Sequence, residues 1–323
     1  MKNKFETADL TRIKTIKLSK RHSLARSENL AVVPPSTGAR RFFDSLPGFL
    51  KADDLRRLID AIINARHAGK PIIMMCGGHV IKVGLSPVLI DLIKNDFITA
   101  LCFNGAGIIH DSEMAMVGQT SEDVAAGLAD GSFGMSAETA DFFAEVTTCA
   151  NDNNIGLGQA AGEILNKRKP PFADLSLFLA CRRRNIPALV HIAVDTDIVC
   201  QHPVYNPAAA ARASHQDFKI LAAQIARGED GGVFINIGSA VILPEVFLKA
   251  LTVARNIYKK PHRIVTANFD MISHYRPSVN VVRRPTLSGG QGFNFTGHHE
   301  IMIPLLAWGL KAFHKNKSKA FKG

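Results

Sequence analysis

Two apolar runs dominate the pattern of the chain, and each of them ends abruptly in a polar turn that carries glycine. The first run spans residues 71–76 and is followed by Gly77-Gly78-His79. The second spans residues 97–103 and is followed by Asn104-Gly105-Ala106-Gly107. Glycine in such turns permits positive φ and a close approach between the backbone and a ligand. The pattern predicts two buried strands whose ends carry the chemistry.

A helix signal lies between these two runs. Ser86 is predicted as an N-cap and Pro87 as the first helical residue, and the apolar residues that follow lie on one face. Near-continuous apolar strands that are separated by a helix are typical of parallel pairing, with both faces of the sheet covered.

The rest of the chain continues to alternate between helix and strand. Residues 271–299 lack a long apolar period, and we predict a functional or docking loop there. The alternation indicates an α/β fold with a doubly wound, mostly parallel sheet, similar to a Rossmann fold. Helices are predicted at residues 53–68, 110–126, 137–153, 156–167, 176–184, 217–228, 240–258 and 301–313, and further strands at 187–193, 232–237 and 262–268.

Length and charge divide the chain into three parts. Its 323 residues suit one large domain with appendages. We predict a basic N-terminal arm at 1–41, a single α/β domain at 42–310 and a basic C-terminal tail at 311–323. The net charge of +11 comes from the two arms, which carry +7 and +5, whereas residues 42–310 carry −1. A charge confined to the arms favours solvated docking segments over a nucleic-acid groove.

The apolar runs and the cysteines bear on the compartment. No apolar run reaches the roughly 18 residues that a membrane span needs, and no apolar segment follows the basic N-terminus as in a secretory signal. The five cysteines form no CxxC pair. Reduced, structural thiols in a cytoplasmic protein are the interpretation that fits this pattern.

The candidate site residues follow the predicted strands. Ligands of doubly wound sheets bind outside the carboxyl ends of the strands. Five segments lie directly after predicted strands, and we expect them to meet at one rim of the sheet. These segments are Gly77–His79, Asn104–Asp111, Asp195–Asp197, Gly238-Ser239 and Asn268–Asp270.

Local motifs alone do not name the ligand. Gly105-Ala106-Gly107 supplies the GxG of a dinucleotide fingerprint, but His110 stands at the position of its third glycine. A tight strand–helix turn explains that glycine pair equally well. Two polar clusters, His110-Asp111 with Glu113 and His298–Glu300, lack the HExxH spacing of a zinc site. They fit polar residues that line a cleft, so we predict no metal.

Five blocks in a fixed order carry a family resemblance. The blocks are GGHVIKVGLSPVLIDL, FNGAGIIHDSEMA, NIPALVHIAVDTDI, GGVFINIGSAVILPEVF and EIMIPLLAW. In this order they resemble the deoxyhypusine synthase family, and most closely a divergent bacterial deoxyhypusine synthase-like branch. The resemblance covers roughly residues 70–310.

The resemblance implies a cofactor, an assembly and a reaction. Members of the family bind NAD at the strand ends, form homotetramers, and dehydrogenate spermidine, whose aminobutyl group passes through an enzyme lysine imine to a lysine of a translation factor. The stretch Thr296–Glu300 would complete the cofactor site. We expect NAD to contact Ser86, Pro87, Asn104, Gly105, Ala106, Gly107, Asp195, Gly238 and Ser239, together with Asp270 at a neighbouring strand end.

The chain departs from the family at the positions that perform its reaction. Gly238-Ser239-Ala240 replaces a run of three glycines, the histidine pair that helps to hold spermidine is absent from LPEVF, and His110-Asp111 replaces an acidic pair. The position of the family's lysine nucleophile falls at Arg283 and Arg284, and arginine stays protonated and cannot form an imine. Lys82 and Lys311 lie in or beside the blocks, but neither aligns with the nucleophile.

We therefore expect an NAD-dependent, deoxyhypusine synthase-like enzyme that acts on an amine or amino-acid-like substrate by hydride transfer. Aminoalkyl transfer stays open, although the family's lysine is absent. The alternatives are a non-catalytic NAD-binding homologue and a basic-armed binding protein for anionic polymers. Arg283 and Arg284 would bind a carboxylate or phosphate of the substrate. The predicted catalytic residues are His110, Asp111, Asp195, Arg283 and Arg284.

Overall fold

The computed structural model describes residues 9–27, 30 and 38–320 of the chain. Eight strands are present among them: β1 (Ser23–Arg26), β2 (Ile72–Cys76), β3 (Ala100–Asn104), β4 (Gln119–Glu122), β5 (Ala188–His191), β6 (Val233–Ile237), β7 (Val265–Asp270) and β8 (Gln291–Thr296). The helices are α1 (Ala39–Ser45), α2 (Leu50–His67), α3 (His79–Lys82), α4 (Ser86–Lys94), α5 (Gly105–Val117), α6 (Val124–Asp130), α7 (Ala137–Asp152), α8 (Leu157–Arg168), α9 (Leu177–Arg183), α10 (Pro207–Ala226), α11 (Ile242–Tyr258) and α12 (His299–Ala320).

Six strands form one parallel sheet in the order β5-β3-β2-β6-β7-β8. The chain starts in the middle of the sheet at β2, builds outward through β3 and β5, and then returns to β6 on the other side of β2. This order is that of a doubly wound Rossmann sheet, whose two halves meet between the first and fourth strands. The predicted fold class is confirmed. The point at which the order reverses lies between β2 and β6.

Alternate residues of each strand face two separate hydrophobic clusters. Ile72, Met74 and Cys76 of β2 join the larger cluster, which includes α2, α4, α5, α8 and α12. Ile73 and Met75 join the smaller cluster on the other face, which includes residues of α10 and α11. Burial on both faces is the reason that these strands read as continuous apolar runs rather than as alternating ones.

The carboxyl ends of β6, β7 and β8 carry a row of asparagines on the face of the smaller cluster. Asn236 pairs in register with Asn268, and Asn268 pairs with Asn294. The amide of Asn236 donates to Asn268 Oδ1 at 2.8 Å, and the amide of Asn268 donates to Asn294 Oδ1 at 2.8 Å. Asn236 also donates to the carbonyl of Ser239 at 2.9 Å. The row thereby ties the turn after β6 to the two outer strands.

Three predicted elements differ from the structure. The helix predicted at 110–126 ends at Val117, because Gly118 adopts a φ of +67° and the chain then forms β4. The helix predicted at 217–228 begins at Pro207, where the side chain of Asn206 accepts a hydrogen bond from the backbone of Ala209. The predicted loop at 271–299 contains a π-helix, Pro277–Arg283, and the strand β8.

Both predicted arms contain segments that pack on the α/β domain. Strand β1 pairs antiparallel with β4, and Leu18 is buried. At the other end, α12 continues through residue 310 without a break, and Lys311 pairs with Asp91 at 3.1 Å. Pro34 and Pro35, which the sequence places at the end of the N-terminal arm, lie outside the described residues, as do residues 321–323 of the tail. The domain boundaries stay a prediction.

None of the helices in the described part of the chain combines the length and the apolar character that a membrane-spanning helix requires.

Candidate functional site

The two turns at the reversal point of the sheet touch each other. The backbone N–H of Gly77 donates to the carbonyl of Ile237 at 2.8 Å, which continues the β2–β6 pairing past the strand ends. A Cβ on Gly77 would lie 2.2 Å from the carbonyl oxygen of Gly238. Gly78 is also confined, because a Cβ there would lie 2.9 Å from Ala106 Cβ and 3.0 Å from His110 Cδ2. Gly77 and Gly78 thus connect the turn after β6 to the start of α5.

Two histidines, His79 and His299, lie beside the turn after β6. The rings of His79 and His299 cross at 64°, with their centroids 5.5 Å apart. Gly238 has a φ of +64°, and a Cβ on it would lie 2.8 Å from the His299 ring. Burial lowers the pKa of His79, and the charges of His299 and Lys82 lower it further. The His79 ring is therefore biased toward the neutral form at this edge of the sheet.

A cavity of about 160 Å³ opens beside the turns, at the carboxyl ends of β2, β3 and β5. Among the residues that line it are Lys82 of α3, His110 and Glu113 of α5, Asp197 after β5, and Arg21 of the N-terminal segment. Larger cavities of about 430 and 560 Å³ lie at the opposite edge, beside residues that precede the strands. We favour the smaller cavity as the site, because ligands of doubly wound sheets bind at the carboxyl ends.

Asp197 is the acidic group of this cavity that lacks a partner. Its carboxylate forms no hydrogen bond with any residue that the structure describes, and burial raises its pKa to about 6. The carboxylate lies against the first residue of α5, since a Cβ on Gly105 would be 1.8 Å from Asp197 Oδ2. Helix N-termini favour negative charge. Asp197 is thus a carboxylate that is held at a helix start and directed at a cavity.

Lys82 supplies the positive charge that faces the same space. It forms no ion pair among residues 9–27, 30 and 38–320. Lys311, the other lysine near the family blocks, is instead bound to Asp91 on the far side of α4. The cavity therefore contains an ammonium group and a carboxylate that do not neutralise each other within 4 Å.

A buried polar network closes the wall of the cavity around Glu113. Arg21 donates to both oxygens of Glu113, at 2.9 and 2.8 Å. Thr120 and Thr139 donate to the same carboxylate at 2.5 and 2.9 Å. His110 Nδ1 lies 2.7 Å from Thr120 Oγ1. Burial is the largest single influence on the pKa of Arg21 and acts to lower it, but the hydrogen bonds to Glu113 and the charges of Glu113 and Glu122 together outweigh burial, and the pKa is raised.

The structure brings only part of the predicted catalytic set to the cavity. His110 lines it, whereas Asp111 is fully buried on the other side of α5. The side chain of Asp111 accepts hydrogen bonds at 2.6 Å from Ser176 Oγ and from the backbone of Leu177. Asp111 thereby supports the start of α9 and faces the interior. Asp195 is exposed, with a φ of +67°, and lies outside the cavity lining.

Arg283 and Arg284 lie far from the rim. Arg283 is the last residue of the π-helix and Arg284 follows it, in the segment that leads to the start of β8 and so to the amino ends of the strands. Arg255, in the last turn of α11, donates to the carbonyl of the adjacent Pro285 at 2.8 Å. Arg283 and Arg284 are both exposed beside Tyr275 and Leu287. Their position cannot bring a substrate carboxylate to the cavity.

The predicted cofactor residues are distributed over the rim. Ser239 precedes the N-cap of α11, and its hydroxyl accepts from the backbone of Leu243 at 3.2 Å. Asp270 Oδ1 accepts from Met271 N–H at 2.8 Å. Ser86 is buried at the start of α4, with Leu85 rather than Ser86 in the cap position. Gly107 packs on the side chain of Phe103, because a Cβ on Gly107 would lie only 2.4 Å from Phe103 Cγ.

Several buried polar atoms at the carboxyl ends have no hydrogen-bond partner in the described part of the chain. Asn104 Oδ1 and His191 Nε2 end β3 and β5, which pair in register at these two residues. Asn236 Oδ1 and His299 Nδ1 lie at the ends of β6 and β8. Buried polar atoms are normally satisfied, so these four atoms along the rim are available to a polar ligand. The reversal point between β2 and β6 and these atoms together fit a dinucleotide.

The structure places four residues at the cavity that are not among the predicted catalytic or cofactor-binding residues. The sequence groups Asp197 with Asp195 after a predicted strand, and only the contact with Gly105 distinguishes the two. Arg21 and Glu113 are separated by 92 positions, so no local pattern joins them. Lys82 carries a weak signal, because it lies within the first block of the resemblance.

Comparisons with known proteins show which fold the chain shares. No protein-family model and no curated protein matches it. The structure of AgrE in a ternary complex with ornithine and NAD+ matches with a TM-score of 0.52 and 15% identity, over 82% of this chain and 33% of AgrE. A conserved protein from Methanococcus maripaludis S2, provisionally described as LOR/SDH, matches with a TM-score of 0.50 and 16% identity, over 87% of this chain and 74% of that one.

The chain therefore spans about a third of the length of AgrE. A protein from Entamoeba histolytica that is provisionally described as a deoxyhypusine synthase matches with a TM-score of 0.47 and 12% identity, over 81% of this chain and 89% of that one, and this likeness is too low to carry an argument. At these identities the likeness to AgrE and to the LOR/SDH protein shows the fold alone. The chain shares a Rossmann-like α/β fold with these proteins.

Proposed function

We propose that this protein is an NAD-dependent enzyme that acts on a small amine or amino-acid-like substrate in the cavity beside the β2–β6 turns. One observation carries the proposal: the half-buried carboxylate of Asp197, without a partner among the described residues, faces Lys82 across a cavity that adjoins the reversal point of a Rossmann sheet. If these two charged side chains had a purely structural role, we would expect them to form an ion pair with each other. Their separation leaves both available to a ligand.

The residues at the rim suit the cofactor. Asn104 Oδ1, at the end of the strand next to β2, would accept a hydrogen bond from a ribose hydroxyl, and His299 Nδ1 would meet a polar group beside Gly238. When bound, NAD supplies the hydride acceptor. The predicted contact at Gly105 is better assigned to Asp197, because the carboxylate fills the space over that residue.

Charge and size define the class of substrate. Asp197 would bind an ammonium group and Lys82 a carboxylate, so a zwitterion fits between them. A cavity of about 160 Å³ is small beside the roughly 300–1,000 Å³ of drug-sized pockets, which favours a small amino acid over a polyamine. AgrE, which shares the fold, was captured with ornithine and NAD+.

Asp197 would also accept the proton that the amine loses as its carbon is oxidised. An acceptor with a pKa close to the working pH is favoured for this step, and burial brings the pKa of Asp197 to about 6. Lys82 would hold the carboxylate end, so that the C–H bond stays in one orientation. Ile109, Val124 and Phe133 supply apolar side chains to the wall of the cavity.

Membership of a divergent deoxyhypusine synthase-like branch belongs to the same proposal, with the five sequence blocks as its support. The imine route of that family needs an amine nucleophile, and the aligned position holds arginine. We therefore propose hydride transfer without aminoalkyl transfer to a protein lysine. A homo-oligomer, and a tetramer in particular, is also part of the proposal, and light scattering at micromolar concentration tests it.

The experiment is NADH formation by the purified protein with a panel of amines. We expect activity with zwitterionic amino acids such as ornithine, and weaker activity with spermidine or putrescine, which lack a carboxylate. Lys82→Met should abolish that preference, whereas Lys311→Met, a matched lysine outside the cavity, should keep it. NAD binding without NADH formation from any amine would favour the non-catalytic homologue. Absence of NAD binding would contradict the proposal.

A further inference from the structure

The network around Glu113 assigns the proton positions on His110. Glu113 is fully buried, and Arg21 binds both of its oxygens, so it is an ionised acceptor. Thr120 lies 2.5 Å from Glu113 Oε2, and an ionised carboxylate can only accept, so the hydroxyl of Thr120 donates to it. The single hydroxyl proton of Thr120 therefore lies in the hydrogen bond to Glu113 and is not available for a hydrogen bond to His110.

His110 must then donate to Thr120. The 2.7 Å contact between His110 Nδ1 and Thr120 Oγ1 needs a proton, and the only proton left to supply it is on Nδ1. A neutral imidazole that is protonated on Nδ1 has a free lone pair on Nε2. A Cβ on Gly78 would lie 3.0 Å from Cδ2 of the ring, so glycine at this position leaves the space that the ring occupies beside the turn after β2.

The charges around His110 keep the ring neutral. The pKa of His110 is lowered to about 4 in all, with burial as the largest cause. Lys82 and His79 from α3 and Arg21 from the N-terminal segment contribute to this lowering, whereas Glu113 on its own helix opposes it. Glu122 of β4 lies on the far side of Arg21, 3.7 Å from the guanidinium. Nε2 is therefore a hydrogen-bond acceptor across the neutral pH range.

We infer that His110 is a fixed, uncharged hydrogen-bond acceptor in the cavity, held by Thr120 and Glu113 and positioned through them by Arg21, and that it selects a ligand with an N–H or O–H donor at that point. The inference deepens the proposed function and rests on it for the identity of the ligand. An acceptor that cannot donate rejects a carbonyl or carboxylate oxygen at the same position, because two acceptors would face each other. The site would thus distinguish an amine from the corresponding oxo compound.

Nitrogen-15 NMR of the side chain tests this on the intact protein without any activity assay. His110→Gln identifies the His110 signals by their loss from the spectrum. Between about pH 6 and pH 8 we expect Nδ1 to be protonated and Nε2 unprotonated, with no change across the range. A signal from the Nε2-protonated tautomer, or from the imidazolium at pH 7, would overturn the inference.

Three variants separate positioning from folding. Thr120→Val removes the hydroxyl at nearly constant shape and should produce a mixture of tautomers, and Thr120→Ser should restore the single tautomer. Thr139→Val is the matched control, because it removes another hydroxyl donor from Glu113 without touching His110. A mixture in Thr139→Val as large as that in Thr120→Val would overturn the role of Thr120.

A titration with L-ornithine then tests the selectivity. The Nε2 signal of wild-type protein should shift when ornithine is added, and should not shift with its 2-oxo analogue at the same concentration. A larger shift with the oxo analogue would contradict the selectivity. The tautomer does not depend on NAD or on turnover, so failure of the proposed enzyme activity and failure of this inference give different results.

Discussion

The carboxylate of Asp197 occupies the space over Gly105, where a Cβ would lie only 1.8 Å from Oδ2. This contact places a half-buried acid at the start of α5 and directs it into the cavity. The carboxylate of Asp197 thus leaves no room for a side chain at residue 105. In the sequence this glycine resembles part of a dinucleotide motif, but in the structure it makes room for Asp197.

Gly105→Ala tests this contact. The added methyl must displace the carboxylate, and overpacking of this kind destabilises a folded protein by about 1–3 kcal/mol. We expect the variant to unfold at lower urea concentration and to lose substrate-dependent NADH formation. Gly48→Ala is the control, since nothing lies within 4 Å of a Cβ there. Wild-type NADH formation by a folded Gly105→Ala variant would contradict the geometry, since the displaced carboxylate could no longer face the cavity.

Asp197→Asn should stabilise the protein at neutral pH while it abolishes activity. Burial raises the pKa of Asp197 from 3.8 to about 6, so the folded chain binds more protons than the unfolded chain between about pH 4 and pH 6. Stability is therefore lost as the pH rises through that window. Asp197→Asn has no carboxylate to titrate and so does not lose stability in this window. Relative to wild type, its free energy of unfolding should be higher by about 2 kcal/mol above pH 6 and unchanged below about pH 4.

Urea unfolding of Asp197→Asn and wild type at several pH values measures this difference. Asp195→Asn is the matched control, because Asp195 lies two residues away and is exposed. Asparagine tolerates the positive φ of Asp195, so the change should not strain the backbone. Its stability should follow that of wild type at every pH. A less stable Asp197→Asn at pH 8 would show that the carboxylate has a structural partner.

The buried pair of Arg21 and Glu113 should show strong coupling. Arg21→Met leaves the Glu113 carboxylate uncompensated and should cost about 3–5 kcal/mol in the free energy of unfolding. Adding Glu113→Leu to that variant should recover much of the loss. The exposed pair of Arg182 and Glu163 provides the comparison, with an expected cost of less than about 1 kcal/mol for Arg182→Met. Additive effects at Arg21 and Glu113 would contradict a direct pair.

Trapping with borohydride tests the absence of a lysine imine. Incubation with NAD and labelled spermidine, followed by reduction and digestion, should leave every lysine of the chain unlabelled. Lys82 is the position to examine first, because it is the lysine that lines the cavity. Label on Lys82 would mean that this lysine replaces the family's nucleophile, and our account of its role as a carboxylate ligand would be wrong.

Much of the fold could be predicted because β2, β3, β5, β6 and β7 are buried on both faces and interrupted by helices. The sequence does not predict strand β8, because β8 lies at the edge of the sheet and its exposed residues break the apolar run.

The sequence predicts the location of the candidate site, at the rim formed by the strand ends, but not the set of residues that form it. The segments that follow the predicted strands contain the polar residues of the rim, and His110 and Asp197 lie within two of these segments. Helical periodicity did not reveal that Asp111, the next residue after His110, turns toward Ser176. The partnership between Arg21 and Glu113 depends on a contact across 92 positions, and only the folded chain shows it. Arg283 and Arg284 were placed at the rim by alignment, and the π-helix carries them away from it.

Calorimetric titration of NAD+ into the purified protein tests the central claim most directly. We predict binding with a Kd below about 1 mM, in the range of ordinary enzyme substrates. Asn104→Leu should weaken it about five- to tenfold, because it removes the orphaned acceptor at the end of β3, whereas Asn153→Ala, at the end of α7, should not. An absence of NAD+ binding to the folded wild-type protein would contradict the account.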